Sequence, residues 1–175
     1  MTQAASPDPF AAGQPDAGSV DDWTSFASLA ARLVERAAEQ GADLTLIDTD
    51  FGRWSMGGAA MLAAWHLWTV SHRGCHARLL AADWQPMVQR QGAWVRWHTP
   101  WGHRVQCLQI QPEDASQWPG TLVVAHGLCG ARIVDERAGR GVWTTDRRQL
   151  HDWLHQVDVI LQRSMNVTPH ATLGL

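Results

Sequence analysis

The chain has 175 residues and a formal charge of −3, from 14 basic and 17 acidic side chains. Every basic side chain is an arginine; tyrosine is absent as well, while tryptophan occurs 11 times. These absences exclude a P-loop lysine, a lysine Schiff base, a catalytic lysine that neutralises phosphate, and a tyrosine nucleophile. The codon habit of a GC-rich genome accounts for such a bias without any selection on function, but the chemical exclusions hold either way.

At this length one domain with a full core is expected. Residues 1–22 hold Asp8, Asp16, Asp21 and Asp22 and no base, so the rest of the chain carries 14 arginines against 13 acids. That near-neutral balance is no electrostatic footprint for duplex DNA and argues against nucleic acid as a partner. Residues 1–20 are rich in Ala, Pro, Gly and Asp and lack the basic and apolar regions of a signal peptide, which predicts a disordered tail. The apolar stretch from Met56 to Val70 is interrupted by His66 and is too short to span a bilayer, so no membrane partner is expected. Cys75, Cys107 and Cys129 are scattered without CxxC spacing, which points to a reducing, cytoplasmic setting.

The first predicted helix is capped by Asp21 or Asp22, carries Trp23, Phe26, Ala30, Leu33, Val34 and Ala37 at helical spacing, and ends at Gly41. A buried strand follows at Leu44-Thr45-Leu46-Ile47 and closes in Asp48-Thr49-Asp50. Residues 57–72 are apolar on nearly every face and predict a largely buried helix. A second strand runs from about Ala77 to Ala81 and ends at Asp83-Trp84. Pro86 suits the first turn of a third helix, which should end before Pro100. A third strand is expected from about Arg104 to Ile110. Residues 121–135 then read as a hairpin turning at His126-Gly127. Thr145 or Asp146 caps a last helix whose apolar face holds Leu150, Trp153, Leu154, Val157, Ile160 and Leu161. The order α-β-α-β-α-β-β-β-α predicts an α/β fold with a mostly parallel sheet and helices on both faces. The domain is expected over 21–165, with a C-terminal tail at 166–175.

This order, the strand ending in Asp48-Thr49-Asp50, the strand ending near Asp83, the late hairpin and the capped last helix resemble half of a phospholipase D domain. The chain is most similar to a bacterial branch of small phospholipase-D-like domains, over roughly residues 23–165. In active members of that superfamily a strand carries His-x-Lys-x-x-x-x-Asp, where histidine attacks phosphorus and lysine neutralises phosphate charge. Anchored on the hairpin turn, that pattern falls on Pro119, Thr121 and His126. Started at His126 instead, it meets Leu128 and Ile133. Neither register keeps the constellation. The resemblance therefore implies a homodimer, because active half-length members pair two copies, and it implies loss of the phosphodiesterase chemistry.

Several residues remain candidates for a site. Asp48 and Asp50 lie outside the carboxyl end of a strand, where α/β sheets bind ligands, and Asp83 ends the next strand. Together the three would suit Mg²⁺, and the Leu-Ile-Asp-Thr-Asp run is also similar to the nucleophile strand of haloacid-dehalogenase-like phosphatases. Gly52, however, stands where those enzymes place a hydroxyl, and their later lysine is missing. The plainer reading is that Asp83 caps the third helix and that Asp48 and Asp50 bond turn amides. Residues 84–104 interleave Trp84, Trp94, Trp97 and Trp101 with Arg90, Arg96 and Arg104, a pattern that stacks single-stranded bases or simply packs a core face. His66, His72, Cys75 and His76 match no zinc spacing. His126, at a tight turn, is a candidate general base beside Asp135, or a solvated turn residue. Arg137 and Arg140, with Gly139 and Gly141, could hold an anion or a partner's carboxylates, and join Asp83 and Trp84 as ligand-binding candidates.

The sequence thus favours a non-catalytic phospholipase-D-like domain, without cofactor, acting in ligand binding or in interaction with a protein partner. The alternatives are a Mg²⁺-dependent phosphohydrolase using Asp48 and Asp50, and a single-stranded nucleic-acid binder using residues 84–104.

Overall fold

The structure is a computed structural model and describes residues 9–10 and 16–169. Among them, eight strands form one mixed sheet in the order β1-β7-β6-β5-β2-β3-β4-β8. In chain order these are β1 (Ala17–Val20), β2 (Leu44–Asp48), β3 (Ala77–Ala81), β4 (Val105–Gln109), β5 (Leu122–Ala125), β6 (Cys129–Asp135), β7 (Arg140–Thr144) and β8 (Met165–Val167). Only β2–β3 and β3–β4 pair in parallel. The other five pairings are antiparallel. The expectation of a mostly parallel sheet is therefore wrong. The fully buried run Leu122–Ala125 looks like a parallel core strand by composition, yet it runs against β2 because the chain returns from β4 in the opposite direction.

Five α-helices cover both faces: α1 (Trp23–Gln40), α2 (Ala59–Ser71), α3 (Gln85–Arg90), α4 (Gly92–His98) and α5 (Arg147–Leu161). Strand alternation divides the core. Leu44, Leu46, Leu79, Val123 and Ala125 pack with α1, α2 and the tryptophans of the α3–α4 region. Ile47, Leu80, Leu122 and Val124 face α5 through Leu150, Trp153, Val157 and Ile160.

The helix ends follow the sequence. The Asp22 side chain accepts from the Ser25 N–H, and Gly41 closes α1 in a left-handed conformation (φ 69°); each such cap is worth about 1 kcal/mol. Asp146 caps α5 by accepting from the Arg148 N–H at 2.9 Å. The single helix expected after Pro86 is instead two short helices that meet at Gln91, followed by a 3₁₀ turn at Thr99–Trp101. Nor is α2 buried all round, since Leu67 and Val70 stand 43% and 53% exposed. Its apolar composition conceals a one-sided burial through Met61, Ala64, Trp65 and Trp68.

Three strands were not expected. β7 completes a meander with β6 through the turn at residues 136–139. β1 lies within the segment read as a tail, and β8 straddles the boundary at residue 166 where a C-terminal tail was expected to begin. The remainder of both tails, residues 1–8, 11–15 and 170–175, lies outside the described residues.

Candidate functional site

The chain leaves β2 for β3 and β4 on one flank and returns to β5 on the other. The carboxyl end of β2 is therefore a switch point of the sheet, where connections diverge and leave a crevice. A cleft of about 910 Å³ opens there, beside Asp48, Thr49 and Asp50.

Asp48 forms the floor and is 4% exposed. Its Oδ1 accepts the Thr121 hydroxyl at 2.5 Å. Its Oδ2 accepts the Phe51 N–H at 2.6 Å and the Asp50 N–H at 3.3 Å. Burial pushes the Asp48 carboxyl above the usual carboxylate range, against the opposing pull of these hydrogen bonds. The amides it holds belong to a strained loop. Phe51 is fully buried at φ 54° and Ser55 stands at φ 51°, a region that non-glycine residues seldom occupy. Asp50 Oδ1 accepts the Gly52 N–H at 2.7 Å. Both aspartates thus bond turn amides, as the plainer sequence reading has it.

Thr121 ties this floor to the opposite wall. Its N–H donates to Glu136 Oε1 at 3.0 Å while its hydroxyl holds Asp48. The Glu136 carbonyl in turn accepts both Trp23 Nε1 and Arg53 Nη1, each at 3.2 Å. The Arg53 guanidinium lies 5.1 Å from the Trp23 ring centroid. Four segments distant in sequence, at residues 23, 48–53, 119–121 and 136, are fastened together at one end of the sheet.

The other predicted residues do not converge with Asp48 and Asp50. Asp83 accepts the Gln85 N–H at 2.9 Å at the start of α3 and is not among the cleft residues. Trp84 is 5% exposed, donates to the Leu108 carbonyl at 3.2 Å and stacks on Phe51. His126 lies at the far end of β5, where its Nε2 and the Thr45 hydroxyl are 2.8 Å apart. Burial lowers its pKa below the usual histidine value. Asp135 ends β6 while His126 precedes its start, so the expected His126–Asp135 pair is not formed. Arg137 lines the cleft; Arg140 opens β7 and does not.

Residues 84–104 are largely core. Trp94 is fully buried and stacks on His98, and Trp97 packs on Trp65. Arg104, 5% exposed, donates to the carbonyls of Thr69, His72 and Cys75 and lies over Trp68. Its charge therefore closes the end of α2, and of the three arginines in that segment only Arg90 and Arg96 are exposed.

Among the described residues no group of three or more His, Cys, Asp or Glu side chains could hold a metal ion. Mg²⁺ suits Asp48 poorly, because both of its oxygens already accept N–H or O–H donors. The sequence reading missed Trp23, Arg53, Trp118, Arg132 and Glu136 as cleft residues. No local motif marks them.

No protein-family model and no curated protein matches the chain. Solved structures do resemble it. One is TrmBL2, an archaeal chromatin protein described as showing a novel mode of DNA binding (TM-score 0.62, 10% identity), matched over 89% of this chain and 54% of that one. The chain thus spans about half the length of that protein. Another is Nuc, a phospholipase D family member from Salmonella typhimurium (TM-score 0.55, 9% identity), matched over 86% of this chain and 95% of that one. At such identities the likeness concerns the fold, which is phospholipase-D-like.

Proposed function

We propose that this chain is a non-catalytic phospholipase-D-like domain that binds a ligand or partner in the cleft at the carboxyl end of β2. The observation that carries the reading is Thr121. In the hairpin register it occupies the lysine position of the superfamily pattern, yet it is fully buried and its hydroxyl is bonded to Asp48. Pro119, in the histidine position, lines the cleft and offers no nucleophile. A bacterial, cytoplasmic homodimer completes the proposal, and light scattering checks its dimeric state. A phosphatase and phosphodiesterase screen with Mg²⁺ and Mn²⁺ tests the chemistry. No turnover is expected from the wild type, and turnover that disappears in Asp48→Asn would overturn the reading in favour of a phosphohydrolase.

A second reading, nucleic-acid binding, is favoured by the likeness to a protein described as binding DNA. The near-neutral charge weighs against it. Salt-dependent quenching of tryptophan fluorescence by an oligonucleotide would establish it, and a flat titration removes it.

A further inference from the structure

We infer that the cleft takes a mononucleotide, with Trp118 against the base, Asp50 toward the ribose hydroxyls and Arg137 on the phosphate. This rests on the ligand-binding reading above and names the class of ligand.

The first ground is position. Open α/β sheets bind ligands outside the carboxyl ends of strands where the connections diverge, and β2 is that strand here. The second is size, since about 910 Å³ falls within the range of small-molecule sites. The third is the variety of the lining. Trp118, half-buried, supplies flat apolar surface, and Val134, 74% exposed, extends it along β6. Asp50 engages only Oδ1, and among the described residues its Oδ2 has no hydrogen-bond partner. The guanidinium of Arg137 likewise has neither a hydrogen bond nor an ion pair there, although its backbone N–H is fixed by Asp135 at 3.0 Å.

Each simpler ligand leaves one of these groups unused. Inorganic phosphate would satisfy Arg137 and leave the aromatic wall and the carboxylate open. A nucleoside would use the wall and the carboxylate and leave the guanidinium unpaired. A long polyanion would bring further phosphates beside Asp50 and Glu136, while the other cleft arginines, Arg53 and Arg132, are already bonded to the Glu136 carbonyl and to Gln156. A nucleoside monophosphate presents a planar ring for stacking, hydroxyl donors for a carboxylate and a phosphate for an arginine.

The test is calorimetry and thermal shift on the full chain with AMP, GMP, CMP and UMP, with adenosine, guanosine, cytidine, uridine and inorganic phosphate as partial probes. At least one mononucleotide should bind about tenfold more tightly than its nucleoside. Arg137→Ala should reduce its affinity to the level of the nucleoside and leave nucleoside binding unchanged. Asp50→Asn keeps an oxygen for the Gly52 N–H and should weaken nucleotide and nucleoside alike by about fivefold to tenfold. Absence of any mononucleotide binding, or binding indifferent to both substitutions, overturns this inference and leaves the non-catalytic reading standing. Hydrolysis of a bound nucleotide that is lost in Asp48→Asn does the reverse: the nucleotide site stands and the non-catalytic reading fails.

Discussion

The Thr121 hydroxyl donates to Asp48 Oδ1 at 2.5 Å, and this contact joins the start of β5 to the carboxyl end of β2 at the base of the cleft. Both residues are buried, and the backbone donors that Asp48 also holds bond its other oxygen, Oδ2. Thr121→Val keeps the shape and removes the donor, leaving a buried carboxylate oxygen unsatisfied. A loss of about 1–3 kcal/mol is expected in urea unfolding. Thr121→Ser should retain most of the wild-type stability.

Asp48 also predicts a pH dependence. Its carboxyl is raised by burial, so its contribution to stability is fully present below the ordinary carboxylate pKa and is lost as pH rises through the raised native value. Asp48→Asn removes that titration. The melting temperature of the variant relative to wild type should rise over the window above about pH 4. A difference that stays constant across this window would show that Asp48 does not titrate there.

His126 works in the opposite direction. Burial lowers its pKa, with Arg78 adding to the effect and Asp43 and Asp158 opposing it. Stability contributed by the neutral ring is fully present above the ordinary histidine pKa and is lost as pH falls through the lowered native value. His126→Gln retains a polar partner for Thr45 and should flatten the acid side of the stability profile below about pH 6.5.

Arg104 is fixed by geometry more than by charge. One planar guanidinium reaches the carbonyls of Thr69, His72 and Cys75 together. Lysine keeps the charge but cannot present that fork. Arg104→Lys should therefore cost about 2–4 kcal/mol, close to the cost of Arg104→Ala. Thermal unfolding followed by circular dichroism checks this, and full stability in the lysine variant would refute it.

Gly139 stands at φ 72° in the turn between β6 and β7, where a Cβ would lie 2.4 Å from the Trp23 ring and 2.5 Å from its backbone N. Gly139→Ala combines left-handed strain with this collision and should destabilise by about 2–4 kcal/mol. It should also disturb the Glu136 contacts with Trp23 and Arg53. Tryptophan emission of the folded variant then shifts, whereas a purely local strain leaves it unchanged.

Much of the helical framework was legible in the sequence because caps and apolar periodicity are local. Asp22, Gly41 and Asp146 mark ends that the structure keeps. Strand direction was not legible. A buried four-residue run such as Leu122–Ala125 has the same composition whether it pairs in parallel or antiparallel fashion, and only the return path from β4 decides. β1 and β8 escaped notice because four and three residues containing Gly, Ser or Asn carry little strand signal. In the site, Asp48 and Asp50 were found through their place after a strand. Trp23, Arg53 and Glu136 were not, since their meeting depends on segments more than 80 residues apart. The arginine–tryptophan pattern drew attention to residues 84–104, where the packing of Trp94 and the carbonyl bonds of Arg104 use up most of it.

The two shortest strands have a consequence for anyone trimming the chain. β1 and β8 are the outermost strands of the sheet, one at each side. Cutting to residues 21–165, the limits that helix signals suggest, removes β1 and two of the three residues of β8. Strands β7 and β4 would then present bare rows of amide and carbonyl groups to solvent, and unprotected edges of that kind recruit other chains. Such a fragment should retain its core and self-associate through those edges, so any oligomer it forms is an artefact of trimming and no guide to the state of the whole chain.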